Sequence, residues 1–379
     1  MEARKYQVCV RCVMDTSDPD ITFSADGICN HCEHFDQNAH KIWFQGATGA
    51  NRLEELIQQV KHENRNKEFD CIMGLSGGLD SSYLALLLKE YNLRVLAVHV
   101  DGGWNTELAV SNIEAIVNHC NFELVTHVVD WNDMRELQLS YLKSGVSNQD
   151  VPQDHVFFAV LHKQAMQRDC KYFMSGGNVA TEFTLPIGWH GDAMDRINLR
   201  DIHRRFGRVP LKSYETISFW DWRIGFRLRG FEQIRPLNYV PYSTKMAVDA
   251  LATIGWRQYE RKHGESHFTK FFQNYFLPTR FGYDKRRPHF SSRIHSGDMT
   301  REQAEDLLRR PLYEKKELQE DLNFICNKLG ISAEEMNGYM NLPHRSYADY
   351  KNWDRRERWL QALVDFVRPL VRRPKNDKK

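Results

Sequence analysis

Short apolar runs alternate with amphipathic segments along the middle of the chain. The runs have the length of buried strands, whereas the segments between them place apolar residues at helical spacing. Because parallel strands are joined by helical crossovers, this alternation predicts an α/β fold with a doubly wound parallel sheet. The predicted strands are 71–75, 93–100, 124–129, 172–175 and 231–237, and the main predicted helices are 51–63, 83–89, 107–120, 131–143 and 154–167.

The pattern changes on both sides of this central region. The first fifty residues are rich in cysteine and turn residues, and beyond Thr300 the apolar spacing is helical, with Thr300 and Ser332 placed as helix caps. The sequence therefore predicts a small N-terminal domain at 1–50, a nucleotide-binding domain at 51–255, and a substrate-binding and helical region at 256–379. In the last predicted helix, 355–371, Trp359, Leu363, Phe366 and Val367 share one face, for which packing is favoured over membrane binding.

Composition adds limits to this picture. Hydrophobic residues make up 41% of the 379 residues and charged residues 27%, which is typical of a soluble globular protein. The N-terminus has no apolar core of a signal peptide, and no stretch approaches the apolar length of a membrane span. We therefore expect a cytoplasmic protein without membrane insertion. The formal charge of +2 gives no support to nucleic-acid binding.

The first predicted strand ends at the loop Ser76-Gly77-Gly78-Leu79-Asp80-Ser81-Ser82. Paired glycines let the backbone turn sharply, so that successive N–H groups and the start of the next helix can face one anion. The hydroxyl groups of Ser76, Ser81 and Ser82 add donors at the same point. This loop is predicted to bind phosphate, although a glycine turn that only caps a helix has the same local pattern.

The loop lacks the lysine of a Walker A motif and the spacing of a dinucleotide-binding motif. It resembles the PP-loop signature SGGxDS of ATP pyrophosphatases, which cleave ATP between the α and β phosphates. The resemblance implies ATP and Mg²⁺ as cofactors. We expect Val98 and Val100, at the end of the second strand, to line the nucleotide site beside the loop.

A second glycine pair follows the predicted strand 172–175. Because it lies where a parallel strand would again meet the nucleotide, Gly176, Asn178, Thr181 and Glu182 are predicted to bind phosphate or magnesium. A glycine turn with a helix cap is the alternative.

Catalytic roles are predicted for Ser76, Asp80 and Lys245. Lys245 lies in the first turn of a predicted helix, where the helix dipole disfavours a cation. Contact with the polyphosphate would explain that position, and a solvated lysine would explain it equally well. Asp80, Asp101 and His99 are candidates for a catalytic base by position alone.

Four of the eight cysteines form two C-x-x-C pairs near the N-terminus: Cys9, Cys12, Cys29 and Cys32. Two such pairs can complete a tetrahedral thiolate shell, so we predict a structural Zn²⁺ site in a zinc-ribbon-like knuckle. A redox role is less favoured because neither pair begins a helix after a strand.

Several further motifs point to a named family. The segments around Cys9 to Pro19 and Cys29 to Cys32, the PP-loop, 151–155, 176–182, 265–272 and 281–292 together resemble the N-acetyl sugar amidotransferases of the WbpG type. This resemblance extends to about Thr300. It implies conversion of an acetamido group on a nucleotide-linked sugar, typically a UDP-linked diacetamido uronic acid, to an acetamidino group in O-antigen and lipopolysaccharide biosynthesis.

The resemblance also implies a mechanism and partners. The amide oxygen attacks the α-phosphorus of ATP, pyrophosphate leaves, and ammonia then displaces AMP from the adenylated imidate. No glutaminase-like segment is visible in the sequence. We therefore expect a separate glutaminase, similar to that of imidazole glycerol phosphate synthase, with a possible cyclase-like barrel subunit.

The segment 257–296 is dense in basic and aromatic residues. Its cations could bind the carboxylate and diphosphate of the sugar, although an aromatic core strip with a charged outer face fits the same pattern. The predicted substrate-binding residues are Lys270, Arg280, Lys285, Arg286 and Arg293.

Two other functions are compatible with the sequence. A tRNA-modifying PP-loop enzyme would adenylate a base carbonyl, but the near-neutral charge does not favour it. A non-catalytic zinc-ribbon scaffold is the other, and the intact Ser76, Asp80 and Ser82 argue against it.

Overall fold

A computed structural model describes the backbone of residues 5–371 and the side chains of residues 5–366. Five parallel strands form one sheet in the order β3-β2-β1-β4-β5. The strands are β1 (Cys71–Gly74), β2 (Val95–Asp101), β3 (Glu123–Val128), β4 (Tyr172–Met174) and β5 (Glu232–Ile234). Strand order reverses between β1 and β4, so this is a doubly wound sheet with its switch point between those two strands.

Helices connect the strands and form the C-terminal region. The helices of the described residues are α1 (Asn30–Asn38), α2 (Gly46–Asn64), α3 (Leu79–Glu90), α4 (Glu107–Cys120), α5 (Trp131–Ser144), α6 (Val151–Gln167), α7 (Val179–Glu182), α8 (Arg196–Phe206), α9 (Phe226–Leu228), α10 (Thr244–Ala252), α11 (His267–Phe271), α12 (Leu277–Phe281), α13 (Arg286–His295), α14 (Arg301–Leu308), α15 (Lys315–Leu329), α16 (Ala333–Met340) and α17 (Asp354–Val371). Short π-helical turns precede α9 and α12.

Local sequence signals account for the ends of these elements. The Thr106 hydroxyl accepts a hydrogen bond from the amide of Ala109 at the start of α4, and Asn121 ends that helix in the left-handed conformation. Thr300 and Ser332 form capping boxes at α14 and α16, as predicted. Each predicted strand and central helix is present, with ends that differ by a few residues.

The sheet is covered on both faces. In β1, Cys71 and Met73 belong to a core shared with α2, α3, α4 and α10, whereas Ile72 belongs to a second core on the other face. That alternation follows from the two-residue period of a strand. The second core also contains Phe268 and Ile325, so the C-terminal helices pack directly against the sheet. The predicted boundary at 255 therefore does not coincide with a break in the core.

The N-terminal knuckle is attached to the C-terminal region. The amide of Val13 donates to Ser291 Oγ at 3.3 Å, and Arg301 donates to the carbonyl oxygens of Cys9 and Cys12 at 3.2 Å. Arg287 donates to the carbonyl oxygen of Val13 at 2.7 Å. Because α13 also contacts α7, these bonds connect the knuckle to the elements at the switch point of the sheet.

The last helix, α17, packs with only part of its apolar surface. Leu360 contacts a small cluster around Trp353, but Trp359 is 57% exposed and Phe366 72% exposed. The side chain of Val367, predicted to share this face, lies outside the described residues. Within 5–371, no helix combines the length and the apolar character needed to cross a bilayer.

Candidate active site

The PP-loop connects β1 to α3 at the centre of the sheet. Gly77 has φ +79°, and a Cβ atom there would lie 2.7 Å from the carbonyl oxygen of Ala109. Gly78 is the N-cap of α3 and provides no side-chain cap, which leaves the first-turn N–H groups available to an anion. Ser82 Oγ is buried without a hydrogen-bond partner among the described residues. These features fit a phosphate site.

The second glycine loop follows β4 and touches the first. A Cβ atom on Gly176 would lie 3.0 Å from the backbone carbon of Asp80 and 3.1 Å from the amide nitrogen of Ser81. Asn178 caps α7 by accepting from the amide of Thr181 at 2.9 Å, and its Nδ2 donates to Asp80 Oδ1 at 3.2 Å. The hydroxyl of Thr181 donates to Asn178 Oδ1. The structure therefore brings the two predicted loops together, with Thr181 supporting Asn178.

Asp80 is the point where three elements meet. Its Oδ1 accepts hydrogen bonds from Asn178 and from the hydroxyl of Tyr242, just before α10. Burial raises the pKa of Asp80, and the charge of Glu182 raises it further. Two carboxylates are thus held close together beside the phosphate site.

Lys262 balances the charge of these carboxylates. Its Nζ lies 3.1 Å from Glu182 Oε1, and its side chain is 32% exposed. Burial would lower the pKa of Lys262, but the charges of Glu182 and Asp80 outweigh this and hold it above its ordinary value. Burial would likewise raise the pKa of Glu182, yet Lys262 holds it below its ordinary value.

Residues 256–265, here called the cover segment, are attached directly to the PP-loop. The carbonyl oxygen of Gly77 accepts from Trp256 Nε1 and from the Tyr259 hydroxyl, both at 3.0 Å. A Cβ atom on Gly78 would lie 3.2 Å from Glu265 Oε1. Within this segment His263 has φ +61°, a strained conformation for a residue with a side chain. The cover segment therefore brings Lys262, His263 and Glu265 to the loop.

A second group of charged residues lies at the start of α6. Asp150 accepts from Thr269 Oγ1 and Gln153 Nε2, each at 3.1 Å, and burial holds its pKa well above its usual range. Burial also raises the pKa of Asp154 to about 6. Lys285 Nζ lies 2.9 Å from His190 Nε2, and burial lowers the pKa of Lys285 to about 8. His263 and Lys285 both act on the pKa of Asp154.

The five predicted substrate-binding residues have different positions. Lys285 belongs to the charged group just described. Lys270, by contrast, is paired with Asp321 at 2.6 Å and with Glu317 at 3.3 Å, contacts that attach α11 to α15. Arg293 is paired with Asp298 at 2.6 Å. The pKa of His289 is lowered mainly by burial, then by the charge of Lys262, and then by the charge of Arg293.

The expectation for Arg280 and Arg286 is corrected by their contacts. Arg280 is 7% exposed and donates to the carbonyl oxygens of Tyr339, in the last turn of α16, and of Leu342 and Pro343, just after that helix. Arg286 is paired with Asp284 and donates to carbonyl oxygens at the end of α14. These guanidinium groups satisfy helix ends, so their donors are not directed at a substrate.

The structure gives no support to a catalytic role for Lys245. Its ammonium group is paired with Asp249 one turn along α10, and the side chain is 82% exposed. Tyr242, two residues before α10, instead contacts Asp80 through its hydroxyl group.

Other predicted residues are held by internal contacts. His99 donates from Nδ1 to the carbonyl oxygen of Leu75 and accepts at Nε2 from Asn105, and burial lowers its pKa. Asp101 accepts from the amide of Gly103 at 2.7 Å. Val98 and Val100 are buried at the end of β2, where the carbonyl oxygen of Val98 accepts from Leu75. His99 and Asp101 therefore contribute to loop geometry.

The four N-terminal cysteines converge on one point. All four are buried, and their sulfur atoms lie within 4.8 Å of one another. The Sγ–Sγ distances are 3.7 Å for Cys9 and Cys32, 3.6 Å for Cys12 and Cys29, and 3.7 Å for Cys29 and Cys32. His295 Nε2 from α13 lies 3.1 Å from Cys32 Sγ. This arrangement can bind a metal through four thiolates.

Sequence reasoning missed Lys262, His263, Asp154 and Tyr242 as site residues. Asp154 lies in the segment 151–155 that carried part of the family resemblance, which was a usable signal. Lys262 and His263 lie in a polar stretch between aromatic residues, and nothing in the local sequence distinguishes them from a solvated pair. Their roles depend on contacts with residues far away in the chain.

Comparison with known proteins supports the earlier resemblance. Residues 265–363 match the family model described as the C-terminal domain of WbpG-like lipopolysaccharide biosynthesis proteins. A tRNA(Ile)-lysidine synthase of Actinobacillus pleuropneumoniae serotype 3 is 24% identical over 281 residues, 74% of this chain. The chain spans 58% of the length of that relative.

Solved structures give weaker likenesses. NMN synthetase from Francisella tularensis is 13% identical, with a TM-score of 0.33, over 78% of this chain and 98% of its own. The U34-tRNA thiolase NcsA from Methanococcus maripaludis, solved with its [4Fe-4S] cluster, is 16% identical, with a TM-score of 0.31, over 68% and 81%. The fold assignment therefore rests on the strand order and the two loops of this chain.

The region matched by the family model adjoins the candidate site. The SGGLDSS loop lies between a central parallel strand and its helix, and the matched region begins at Glu265, which reaches that loop. The C-terminal region of this chain is therefore WbpG-like, and it adjoins a loop that has the sequence of a PP-loop.

Proposed function

We propose that this protein is an ATP-dependent amidotransferase that converts the acetamido group of a nucleotide-linked sugar to an acetamidino group. The sugar we favour is a UDP-linked 2,3-diacetamido uronic acid, in O-antigen and lipopolysaccharide biosynthesis. The observation that carries the proposal is the meeting of both glycine loops at Asp80 and Glu182, next to charged residues of the WbpG-like region. ATP and the sugar would meet between them.

The PP-loop would bind the pyrophosphate that leaves from ATP. The first-turn N–H groups of α3 and the hydroxyl groups of Ser76, Ser81 and Ser82 are the available donors. Donors fixed before the reaction stabilise the charge that develops on the leaving group without reorganising. The amide oxygen of the sugar would attack the α-phosphorus from the side of the cover segment.

Asp80 and Glu182 fit a magnesium site. The charge of Glu182 raises the pKa of Asp80, and the charge of Lys262 lowers the pKa of both carboxylates, so the three groups lie close together. Carboxylates are among the oxygen ligands that Mg²⁺ prefers. When bound there, Mg²⁺ would neutralise charge on the phosphates. Lys262 would hold Glu182 in place and share in that neutralisation.

Lys285 is the strongest remaining candidate for contact with the anionic sugar. Its ammonium group contacts His190, whose pKa burial lowers well below its ordinary value. A neutral imidazole does not cancel the positive charge of Lys285, so that charge can act on the diphosphate or carboxylate of the substrate.

The cysteine cluster fits zinc by its dimensions. Tetrahedral coordination at about 2.3 Å places thiolate sulfurs roughly 3.8 Å apart, close to the observed separations. A [4Fe–4S] cluster binds each thiolate through a different iron and would hold the four sulfurs farther apart. We therefore propose a structural Zn²⁺ site.

A coupled assay for pyrophosphate and AMP tests the proposed function. Full-length protein is supplied with ATP, magnesium, ammonium chloride and the UDP-linked diacetamido uronic acid. We expect sugar-dependent AMP and a product about one mass unit lighter, in which NH replaces O. Both should be lost in Ser76→Ala and Asp80→Ala, and ADP in place of AMP would contradict the PP-loop assignment.

A tRNA-modifying function is the second candidate, favoured by the similarity to tRNA(Ile)-lysidine synthase. The chain has 52 Lys and Arg residues and 50 Asp and Glu residues. This nearly balanced composition does not indicate the strongly basic surface that is typical of nucleic-acid binding. AMP formation that requires tRNA and ignores the sugar would replace our proposal with this one.

A further inference from the structure

The carboxylate of Asp154 has an unusual position among the acidic groups of the site. Asp80 accepts from Tyr242 and Asn178, Asp150 from Thr269 and Gln153, and Glu182 pairs with Lys262. For Asp154, the described residues provide no hydrogen bond or ion pair to the side chain, although it is largely buried in the first turn of α6. Its oxygen atoms are therefore free to meet a ligand.

Asp154 lies near the PP-loop site. Helix α6 packs against β1 and β2, and its residue Gln153 lies next to Gly102, just past the carboxyl end of β2. The charge of His263 acts on the pKa of Asp154 and also on the pKa values of Asp80 and Glu182. Asp154 is thus near the reacting groups but belongs to a different element from the magnesium pair.

The electrostatic surroundings make Asp154 a stronger base than an ordinary carboxylate. Burial raises its pKa to about 6, while His263 in the cover segment and Lys285 before α13 oppose that rise. Asp150 is the N-cap residue of α6, four positions before Asp154, and the charge of Asp154 helps to raise its pKa. A group with this pKa is mostly ionised at neutral pH and yet accepts a proton readily, which is the condition for general base catalysis.

Amination of the adenylated imidate requires such a base. The nitrogen of ammonia forms a bond to the imidate carbon, and the carbon–oxygen bond to AMP then breaks with its electron pair remaining on the AMP phosphate. Ammonia brings three hydrogens, whereas the neutral amidine keeps two of them on that nitrogen. One proton must therefore leave the attacking nitrogen.

We infer that Asp154 is the catalytic residue that accepts this proton during attack by ammonia. The inference rests on the proposed function, and it separates the reaction into two halves. Adenylation uses the PP-loop and the carboxylates at its edge, and amination uses Asp154. Lys285 and His263 then orient the substrate between the two groups.

The test measures the two halves separately in full-length protein. Adenylation is followed as sugar-dependent exchange of labelled pyrophosphate into ATP without ammonium, and amination as amidine formation with ammonium chloride. The variants are Asp154→Asn and Asp154→Glu. The matched control is Asp249→Asn, which removes an exposed carboxylate on α10.

In Asp154→Asn we expect exchange within about threefold of wild type and amination lower by roughly 100-fold, the range of general base catalysis. Asp154→Glu should recover part of the amination rate, and Asp249→Asn should leave both halves unchanged. Per concentration of free ammonia, wild-type amination should fall as pH drops through about 6. This decrease in rate at low pH should be absent in Asp154→Asn.

Three results would overturn the inference. Amination at the wild-type rate in Asp154→Asn would exclude Asp154 as the base. Equal losses in exchange and amination would assign it a structural role. No sugar-dependent exchange in wild type would overturn the proposed function itself, a failure distinct from the other two because it appears before any substitution.

Discussion

Lys262 shows how a single side chain can balance the charge of this site. It reaches Glu182 from a position 80 residues later in the chain and also acts on Asp80. Two carboxylates held together in a partly buried cleft repel each other, and a cation between them reduces that cost. Lys245, the lysine that the sequence singled out, is instead paired on the surface of α10.

The two lysines give a matched pair of substitutions. Lys262→Ala should reduce sugar-dependent AMP formation by roughly 100-fold, because it removes a preorganised charge next to the developing pyrophosphate. Lys245→Ala should stay within about twofold of wild type, since exposed pairs along a helix contribute little. Steady-state rates from the coupled assay would decide this, and equal losses in both variants would contradict the assignment of Lys262.

Gly176 provides a second prediction at the scale of one residue. A methyl group there would lie 3.0 Å from the backbone of Asp80, so the two loops would have to move apart. We expect Gly176→Ala to weaken ATP binding at least tenfold, measured by calorimetry with a non-hydrolysable analogue.

The control for Gly176 is Gly338 in α16. A Cβ atom on Gly338 would meet nothing within 4 Å, and alanine favours helices over glycine by up to about 1 kcal/mol. Gly338→Ala should therefore keep nucleotide affinity and leave stability equal or slightly higher. Unchanged affinity in Gly176→Ala as well would show that the loops are not rigidly packed.

At the scale of elements, the sequence was informative where signals are local. Strand and helix patterns, both glycine loops and the cysteine pairs could each be read within one short segment, and each is present. The functions of Arg280 and Arg286 could not be predicted in this way, because an arginine that caps helix ends has the same local sequence as one that binds phosphate. The cover segment was missed because its contacts are with Gly77 and Glu182, far away in the chain.

Helix α13 connects the knuckle to the site. On the side of the knuckle, His295 contacts Cys32 and Ser291 accepts from the amide of Val13. On the side of the site, His289 Nδ1 donates to the carbonyl oxygen of Thr181 in α7. A change in the knuckle can therefore reach the loop that holds Asp80. We therefore expect the proposed metal site to influence catalysis through the structure, without direct contact with substrate.

Removal of one cysteine tests that role. Purified protein should contain one zinc per chain by mass spectrometry of metals, and Cys29→Ser should lose it, unfold at a lower temperature and lose AMP formation. Cys326→Ser, a buried cysteine outside the cluster, should keep the metal. Iron and sulfide in stoichiometric amounts would contradict the zinc proposal.

At the scale of the whole molecule, the sheet and the C-terminal helices share one hydrophobic core, so neither can be removed without exposing part of that core. The helices of the C-terminal region share a core with β1 and β2, so the WbpG-like region completes the sheet domain as well as the site. The sequence suggested a boundary at 255 because the helix that follows the last predicted strand ends there. It could not show that later helices return to cover the sheet, since that depends on contacts between distant segments.

The burial of the cysteines affects whether this chain could release ammonia from glutamine itself. All eight are buried, and four of them form the N-terminal cysteine cluster. Burial raises the pKa of Cys120 to about 11, of Cys170 to about 12, and of Cys71 well above its ordinary value. Burial also raises the pKa of Cys326. Because the thiolate is the nucleophile, none of these residues is suited to attack glutamine.

We therefore expect the isolated chain to use ammonium chloride but not glutamine. With ATP, magnesium and the UDP-linked sugar, glutamine alone should give less than about 1% of the ammonium-dependent rate, and no glutamate should be released. Addition of a glutaminase of the imidazole glycerol phosphate synthase type, with its barrel subunit, should restore glutamine-dependent product only if the subunits bind this chain. Glutamate release by the isolated chain, coupled to product, would contradict the argument from cysteine burial and place the glutaminase activity in this protein.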